Sequence, residues 1–383
     1  MTPDAAWEKV GARKPQAKRI MADLEQKIEA AKAALDAHVD EIIQWHFSPE
    51  TGCPFWLEWA SKQDWNPREE VKSIADLHAK FPNFQDEWLR DKQPEVWVPK
   101  EFKGQPFNIF ETGGTTGMPK QRIGWNDYKV DYEEFSDTLN DDHFPRNHYW
   151  LMVGPTGPRR LRLAIEHLAN VRGCSCYFID LDPRWVKRLI GEKQFDQAKA
   201  YMAHVVEQAT TIMKHREVSA LFTTPKLLEA IAEHLEDEGS SLYEAGIRGV
   251  FCGGTTMDPQ YTRFLCEELL ENKIGFMPTY GNTLMGLAKN KPLTPEDKFS
   301  ITYYAPQPRA MMRVVNPDTN EPVEYEEWGR VELTTLTKEF FMPRFLERDE
   351  AIRRAPIEQY PWDGVAEVRP FGALTKKIVE GVY

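Results

Sequence analysis

Between Lys18 and Phe47, apolar positions recur at three-, four- and seven-residue steps: Ile20, Leu24, Ile28, Leu35, Val39 and Ile42. Charged residues fill the opposite face. The spacing predicts one long amphipathic helix whose stripe packs on a core rather than on a membrane. A shorter helical pattern follows over Asn66 to Asp91, and then a Pro-rich, Trp-containing link runs to Lys103.

From Phe107 onward the period changes. Short apolar runs alternate with helical stretches: Phe107 to Phe110, Tyr149 to Gly154, Cys174 to Asp180, Val218 to Phe222, Ile247 to Cys252 and Ile274 to Met277 read as strands, with Gln197 to Arg216 helical among them. This alternation predicts an α/β fold with layered, parallel-rich sheets flanked by helices. After Pro306 the runs Arg309 to Val315 and Gly329 to Thr335 are β-rich, with a turn signal at Asn316-Pro317-Asp318. The expected organisation is a helical region (1–105) packed on the core, an α/β core (106–305) and a smaller β-rich subdomain with a tail (306–383).

A length of 383 residues suits such a multi-part chain, and 41% hydrophobic with 28% charged residues is ordinary globular composition. The net charge of −12, without a Lys/Arg-rich run, argues against a nucleic-acid partner. It leaves room for a small anionic ligand, because local backbone donors can override global charge. No stretch of about eighteen consecutive apolar residues is present, so no membrane helix is expected, and the first residues lack the apolar centre of a signal peptide. The five cysteines are odd in number and sparse, which predicts reduced thiols and a cytoplasmic location. Cys174-x-Cys176 has no second pair to complete a metal site and is read as strand packing.

The most unusual backbone lies at Glu111-Thr-Gly-Gly-Thr-Thr-Gly-Met-Pro-Lys-Gln121. Such a run suits neither a helix nor a packed strand. It does suit a concave anion site, in which successive N–H groups, the hydroxyls of Thr112, Thr115 and Thr116, and Lys120 surround a phosphate. The Walker A pattern does not fit, since Gly117 is followed by Met-Pro-Lys-Gln.

Gly114-Thr115-Thr116-Gly117-Met118-Pro119-Lys120 closely resembles the phosphate signature of the acyl-adenylate-forming (ANL) superfamily. Three more stretches follow in that superfamily's order. Phe251-Cys252-Gly253-Gly254 resembles its adenine-binding glycine segment. Thr279-Tyr280-Gly281-Asn282-Thr283 resembles its Y-G-x-T motif. Arg344-Phe345-Leu346-Glu347-Arg348-Asp349 is similar to its ribose motif, although the middle, Leu346 to Arg348, departs. Ser73 to Leu77, Trp88 to Asp91 and Leu333 to Thr337 are similar to the phenylacetate-CoA ligase branch.

The resemblance implies the ANL N-terminal domain fold, ATP and Mg2+ as cofactors, and adenylation of an aromatic acid. Thr115, Thr116 and Lys120 would be catalytic, with Gly114 and Gly117 completing the grip on the β- and γ-phosphates. Gly253, Gly254, Tyr280, Gly281, Asn282 and Thr283 would bind adenine and the α-phosphate, and Asp349 would hold the ribose.

Three departures stand out. Leu284 occupies the place of a glutamate that ligates Mg2+, which leaves the metal ligands open. Gly113 replaces a Ser or Thr. The chain also ends soon after the ribose motif, whereas ligases of the family continue for about another hundred residues. The expectation is therefore a stand-alone adenylating domain, as in relatives from phenazine antibiotic biosynthesis. It would pass acyl-AMP to a separate reductase or acceptor, with a homodimer left open. A diazotase activating nitrite, and a catalytically weak binding protein, are the alternatives.

Other features read as ordinary. The nine histidines lack metal-like spacing, and Glu166-His167 has no zinc-binding context. Arg159-Arg160-x-Arg162 reads as a helix start whose charges face solvent, with the phosphates as the alternative they could face. The twelve tryptophans supply candidates for an aryl pocket, without singling any out.

Overall fold

In the computed structural model the described residues are 4–112, 118–254 and 256–372. The strands are β1 (Asn108–Glu111), β2 (Gln121–Gly124), β3 (Tyr149–Gly154), β4 (Cys176–Asp180), β5 (Val218–Thr223), β6 (Gly249–Gly253), β7 (Gly275–Asn282), β8 (Gly286–Asn290), β9 (Thr302–Tyr304), β10 (Ala310–Val315), β11 (Trp328–Leu336), β12 (Phe341–Arg354) and β13 (Gly364–Pro370). β1 and β2 form a separate antiparallel hairpin. The other eleven strands form one sheet in the order β10-β11-β12-β13-β9-β8-β7-β6-β5-β3-β4.

The half from β7 to β4 is parallel, and the half from β8 to β10 is antiparallel. Every residue of β5 and β6 is buried, as expected of parallel strands covered on both faces. Alternate side chains serve opposite layers: Leu151, Val153, Leu221 and Val250 join one hydrophobic cluster, while Trp150, Met152, Ala220, Phe222 and Phe251 join the other. Helices Phe195–His215 and Pro225–Asp237 bury faces in the first cluster, and Asp127–Ser136 and Arg160–Val171 bury faces in the second.

The long helix spans Asp4–His46, beginning well before Lys18. It buries Leu35, Val39, Ile42 and Ile43, and its His46 ring stacks on Phe341 of β12 at 5.5 Å. Residues 66–91 form three short helices rather than one pattern: Pro67–Glu70, Ile74–Lys80 and Trp88–Asp91. Asn66 and Ser73 cap the first two, each accepting a hydrogen bond from a backbone N–H. Phe81, which ends the second, packs with Trp56 and Phe341, and Trp88 of the third meets Trp56.

The five cysteines are free thiols, and Cys176 opens β4. No helix of the described residues is long and apolar enough to cross a membrane.

Candidate active site

The carboxyl ends of β3, β5, β6 and β7 point into one crevice, the usual ligand position of an open parallel sheet. It holds two cavities, of about 370 Å3 and about 300 Å3, which share Gly254, Thr279, Gly281 and Asn282.

The outer cavity collects residues from distant parts of the chain. Tyr280, Gly281 and Asn282 come from the end of β7, Glu347 and Asp349 from β12, and Arg369 and Pro370 from β13. Tyr280 Oη donates to Asp349 Oδ2 at 2.8 Å. Burial pushes the Asp349 carboxyl up to about 7, and the nearby charge of Glu347 adds to the rise. The same burial, with Asp349 beside it, raises Tyr280, so its hydroxyl stays a donor. Asn282 fixes the turn that follows: its Oδ1 accepts from the N–H groups of Leu284 (2.9 Å) and Met285 (2.7 Å), while its Nδ2 donates to Glu347 Oε2 at 3.3 Å.

Gly254, at φ +98°, holds a conformation that suits only glycine, where β6 ends against both cavities. Gly253 lines the inner cavity alone.

The inner cavity is walled by Tyr132, Leu161, Phe222 and Leu287, with Arg160, Thr224 and Thr283 as polar members and Glu111 at one side. Thr283 Oγ1 donates to the Glu111 carbonyl at 3.3 Å, and the Glu111 carboxylate pairs with Arg184 at 2.9 Å.

Gly113, Gly114, Thr115, Thr116 and Gly117 lie outside the described residues. Their flanks are tied together: Thr112 N–H donates to the Lys120 carbonyl (3.0 Å), and Lys120 N–H donates to Thr112 Oγ1 (3.1 Å). The glycine-rich run thus connects the β1–β2 hairpin. Lys120 lines neither cavity. It is buried, its Nζ stands 3.3 Å from Asp86 Oδ1, and it lies 4.5 Å over the Phe345 ring.

Leu284 is only 1% exposed, and its carbonyl accepts from Arg122 Nη1 (2.7 Å) and Thr335 Oγ1 (3.0 Å). The position therefore supplies no metal ligand, and among the described residues no group of three His, Cys, Asp or Glu side chains is placed to hold an ion.

Two expectations are corrected. Arg160 does not face solvent. It is 5% exposed, pairs with Asp131 (3.1 Å) and Asp127 (3.6 Å), and lines the inner cavity; Arg159 and Arg162 are exposed. Its burial comes from two aspartates on the helix packed against its own, one turn apart on that helix. Nor, among the described residues, does any tryptophan line either cavity; Trp56, Trp59, Trp65, Trp88 and Trp97 pack with one another and with phenylalanines instead.

Sequence reasoning missed Tyr132, Phe222 and Leu287, which look like ordinary core residues in their own elements. It also set aside Glu347 as a mismatch, although Glu347 and Asp349 line the same cavity from an irregular stretch of β12.

Compared by sequence, the chain matches no protein-family model and no curated protein. Compared by structure, it is similar to 2-hydroxyisobutyryl-CoA ligase in the postadenylation state in complex with R3-HIB-AMP. The TM-score is 0.61 at 15% identity, over 89% of this chain and 67% of that one. The chain has the ANL N-terminal domain fold. An open conformation of the same ligase, in complex with 2-HIB-AMP and CoA, gives a TM-score of 0.56 at 15% identity, over 92% of this chain and 74% of that one. At this identity the likeness is one of fold.

Proposed function

We propose that the chain uses ATP to adenylate an aromatic carboxylic acid, releasing pyrophosphate and passing the acyl-AMP to a separate reductase or acyl acceptor. The observation that carries this reading is the meeting of the two cavities at Gly254, Thr279, Gly281 and Asn282. The outer cavity sets Lys226, Glu347, Asp349 and Arg369 beside Tyr261, Tyr280 and Tyr303, and the inner one sets Tyr132, Leu161, Phe222 and Leu287 beside Arg160. A nucleotide in the first and an aryl acid in the second would bring a carboxylate to an α-phosphate at the shared strip.

In this reading a carboxylate oxygen attacks the α-phosphorus, the bond from that phosphorus to the bridging oxygen breaks, and pyrophosphate carries away the electron pair. Positioning and charge stabilisation do most of the work. Asp349 accepts from the ribose hydroxyls, Tyr280 offers the adenine an apolar face, and Thr283 turns its hydroxyl from the Glu111 carbonyl to the α-phosphate. Gly114, Thr115, Thr116 and Gly117 hold the β- and γ-phosphates, and Lys120 leaves Asp86 to offset their charge. Leu284 offers no ligand to Mg2+, which would be held by the phosphates and water and would supply charge neutralisation there. Acid-dependent exchange of pyrophosphate into ATP tests the reading.

A second reading has its own support. Leu284 is buried and Lys120 is already engaged by Asp86, which is also what a nucleotide-binding protein without turnover would show. Tight ATP binding with no AMP released over hours would select it.

A further inference from the structure

The inner cavity carries polar groups that adenylation leaves unused. Arg160 sits in a buried chain of alternating charge. Arg122 pairs with Asp127, Arg160 reaches Asp127 (3.6 Å) and Asp131 (3.1 Å), Arg309 pairs with Asp131 (2.8 Å) and with Glu134, and Lys289 closes the far end on Glu134 at 3.1 Å. Both aspartates therefore hold Arg160 through the same Nη2. Among the described residues no hydrogen bond within the protein uses Arg160 Nη1, and Nε is buried without a partner.

Gly286 makes room for this arrangement. At φ +117°, a Cβ there would lie 2.4 Å from Asp131 Oδ2 and 3.6 Å from Arg160 Nη2. The backbone of β8 thus closes against the Asp131–Arg160 pair at the cavity wall, where Gly286 itself is a lining residue.

Tyr132 stands beside this pair. It is 4% exposed, lines the same cavity, and its hydroxyl has no hydrogen-bond partner among the described residues. Burial pushes the phenol upward, so it remains an O–H donor at working pH. Thr224 Oγ1 on the same wall is fully buried without a partner. Tyr132 Oη and Arg160 Nη1 are not sealed in the wall, so both donors are open to an occupant of the cavity. Arginine offers only donors, and a protonated tyrosine adds one more. The missing partner is therefore an acceptor oxygen.

Arg160 and Tyr132 line the inner cavity only, whereas the reacting carboxylate has to reach the shared strip at Gly281 and Asn282. We infer that Arg160 and Tyr132 recognise an acceptor oxygen on the ring of the aromatic acid, such as a hydroxyl, a ring carbonyl or a second carboxylate. The substrate class is thereby an oxygenated aromatic acid rather than a plain hydrocarbon one. This inference rests on the aromatic-acid reading of the inner cavity.

The test is calorimetric binding of matched pairs to the full chain, without nucleotide. Each hydroxybenzoate isomer is compared with the methylbenzoate of the same substitution. The expected result is that at least one hydroxyl isomer binds at least about tenfold more tightly than its methyl counterpart, because a site built for a hydrogen bond rejects the analogue that lacks it. Tyr132→Phe and Arg160→Met should each collapse that ratio to about threefold or less, and Arg160→Lys should restore part of it. The readout is a ratio, so damage to the fold that weakens both ligands leaves it unmoved, and Tyr132→Phe keeps the ring that packs.

Equal binding of hydroxyl and methyl partners at every position overturns the inference. So does a ratio that survives both substitutions, or no measurable binding of any hydroxybenzoate. A hydroxyl preference without pyrophosphate exchange would retain the recognition site and reject adenylation.

Discussion

The Tyr280 hydroxyl donates to the Asp349 carboxylate at 2.8 Å, joining residues 69 positions apart across the outer cavity. The bond lowers Asp349, while burial and Glu347 raise it more strongly, and the balance leaves the carboxyl near 7. The folded state therefore holds this proton more tightly than the unfolded chain does. The sign follows by linkage: Asp349 costs no stability below the unfolded carboxylate value, and its cost grows as pH rises through about 7. Ribose hydroxyls would favour the ionised form, so nucleotide affinity should rise between pH 6 and pH 8. Calorimetry at pH 6.5 in two buffers of different ionisation enthalpy should show proton release on ATP binding. Asp349→Asn should abolish that release and weaken binding roughly tenfold or more, as expected for a hydrogen bond to a charged group. Proton uptake on binding would contradict the assignment.

Tyr280→Phe removes the donor but keeps the ring. The midpoint of the pH dependence should move upward, because the Tyr280 bond is one of the influences that lowers Asp349. Affinity at pH 7 should fall several-fold, by about 1 kcal/mol, with recovery at pH 9. A uniform loss at every pH would mean that the hydroxyl acts on the nucleotide directly.

Leu284→Glu tests whether this position can hold a metal. The side chain at this position is packed in the core, and its carbonyl is held by Arg122 and Thr335. A carboxylate there should destabilise the protein by about 3 kcal/mol through desolvation and should leave Mg2+ dependence unchanged. Urea unfolding and ATP titration against Mg2+ read both quantities. Unchanged stability with a gain in Mg2+ dependence would show that the side chain can reach the phosphates.

Lys120→Met separates a structural from a phosphate role. Asp86 would retain Arg90 (2.8 Å) and Arg348 (3.6 Å), so the fold should survive with a small change in melting temperature. ATP affinity should drop about tenfold, as for a lost charge-assisted contact. An unchanged ATP affinity would confine Lys120 to its pairing with Asp86.

Much of the architecture was legible because it repeats locally. The run Tyr149 to Gly154 is β3 with the same bounds, and the helix before β5 differs by one or two residues at its ends. The outer cavity was legible because Tyr280, Gly281, Asn282 and Asp349 sit in short motifs of fixed spacing, and the sheet order brings those motifs together.

The inner cavity was not. Tyr132, Arg160, Phe222 and Leu287 come from two helices and two strands, and each fits its own element as an unremarkable residue. Arg160 follows a proline within an arginine run, which reads as a solvated helix start. Only the neighbouring helix, with Asp127 and Asp131 on its facing side, turns it inward. Likewise, periodicity marked the β-rich strands after Pro306, but β9 and β13 knit them into the parallel sheet through pairings no local pattern carries.

The central claim is that the two cavities bring an aromatic carboxylate to the α-phosphate of ATP. It is tested most directly by exchange of labelled pyrophosphate into ATP, with Mg2+ and a panel of aromatic acids. The account predicts exchange that requires one of the acids and disappears in Asp349→Ala. Tight ATP binding with no exchange for any acid would contradict it.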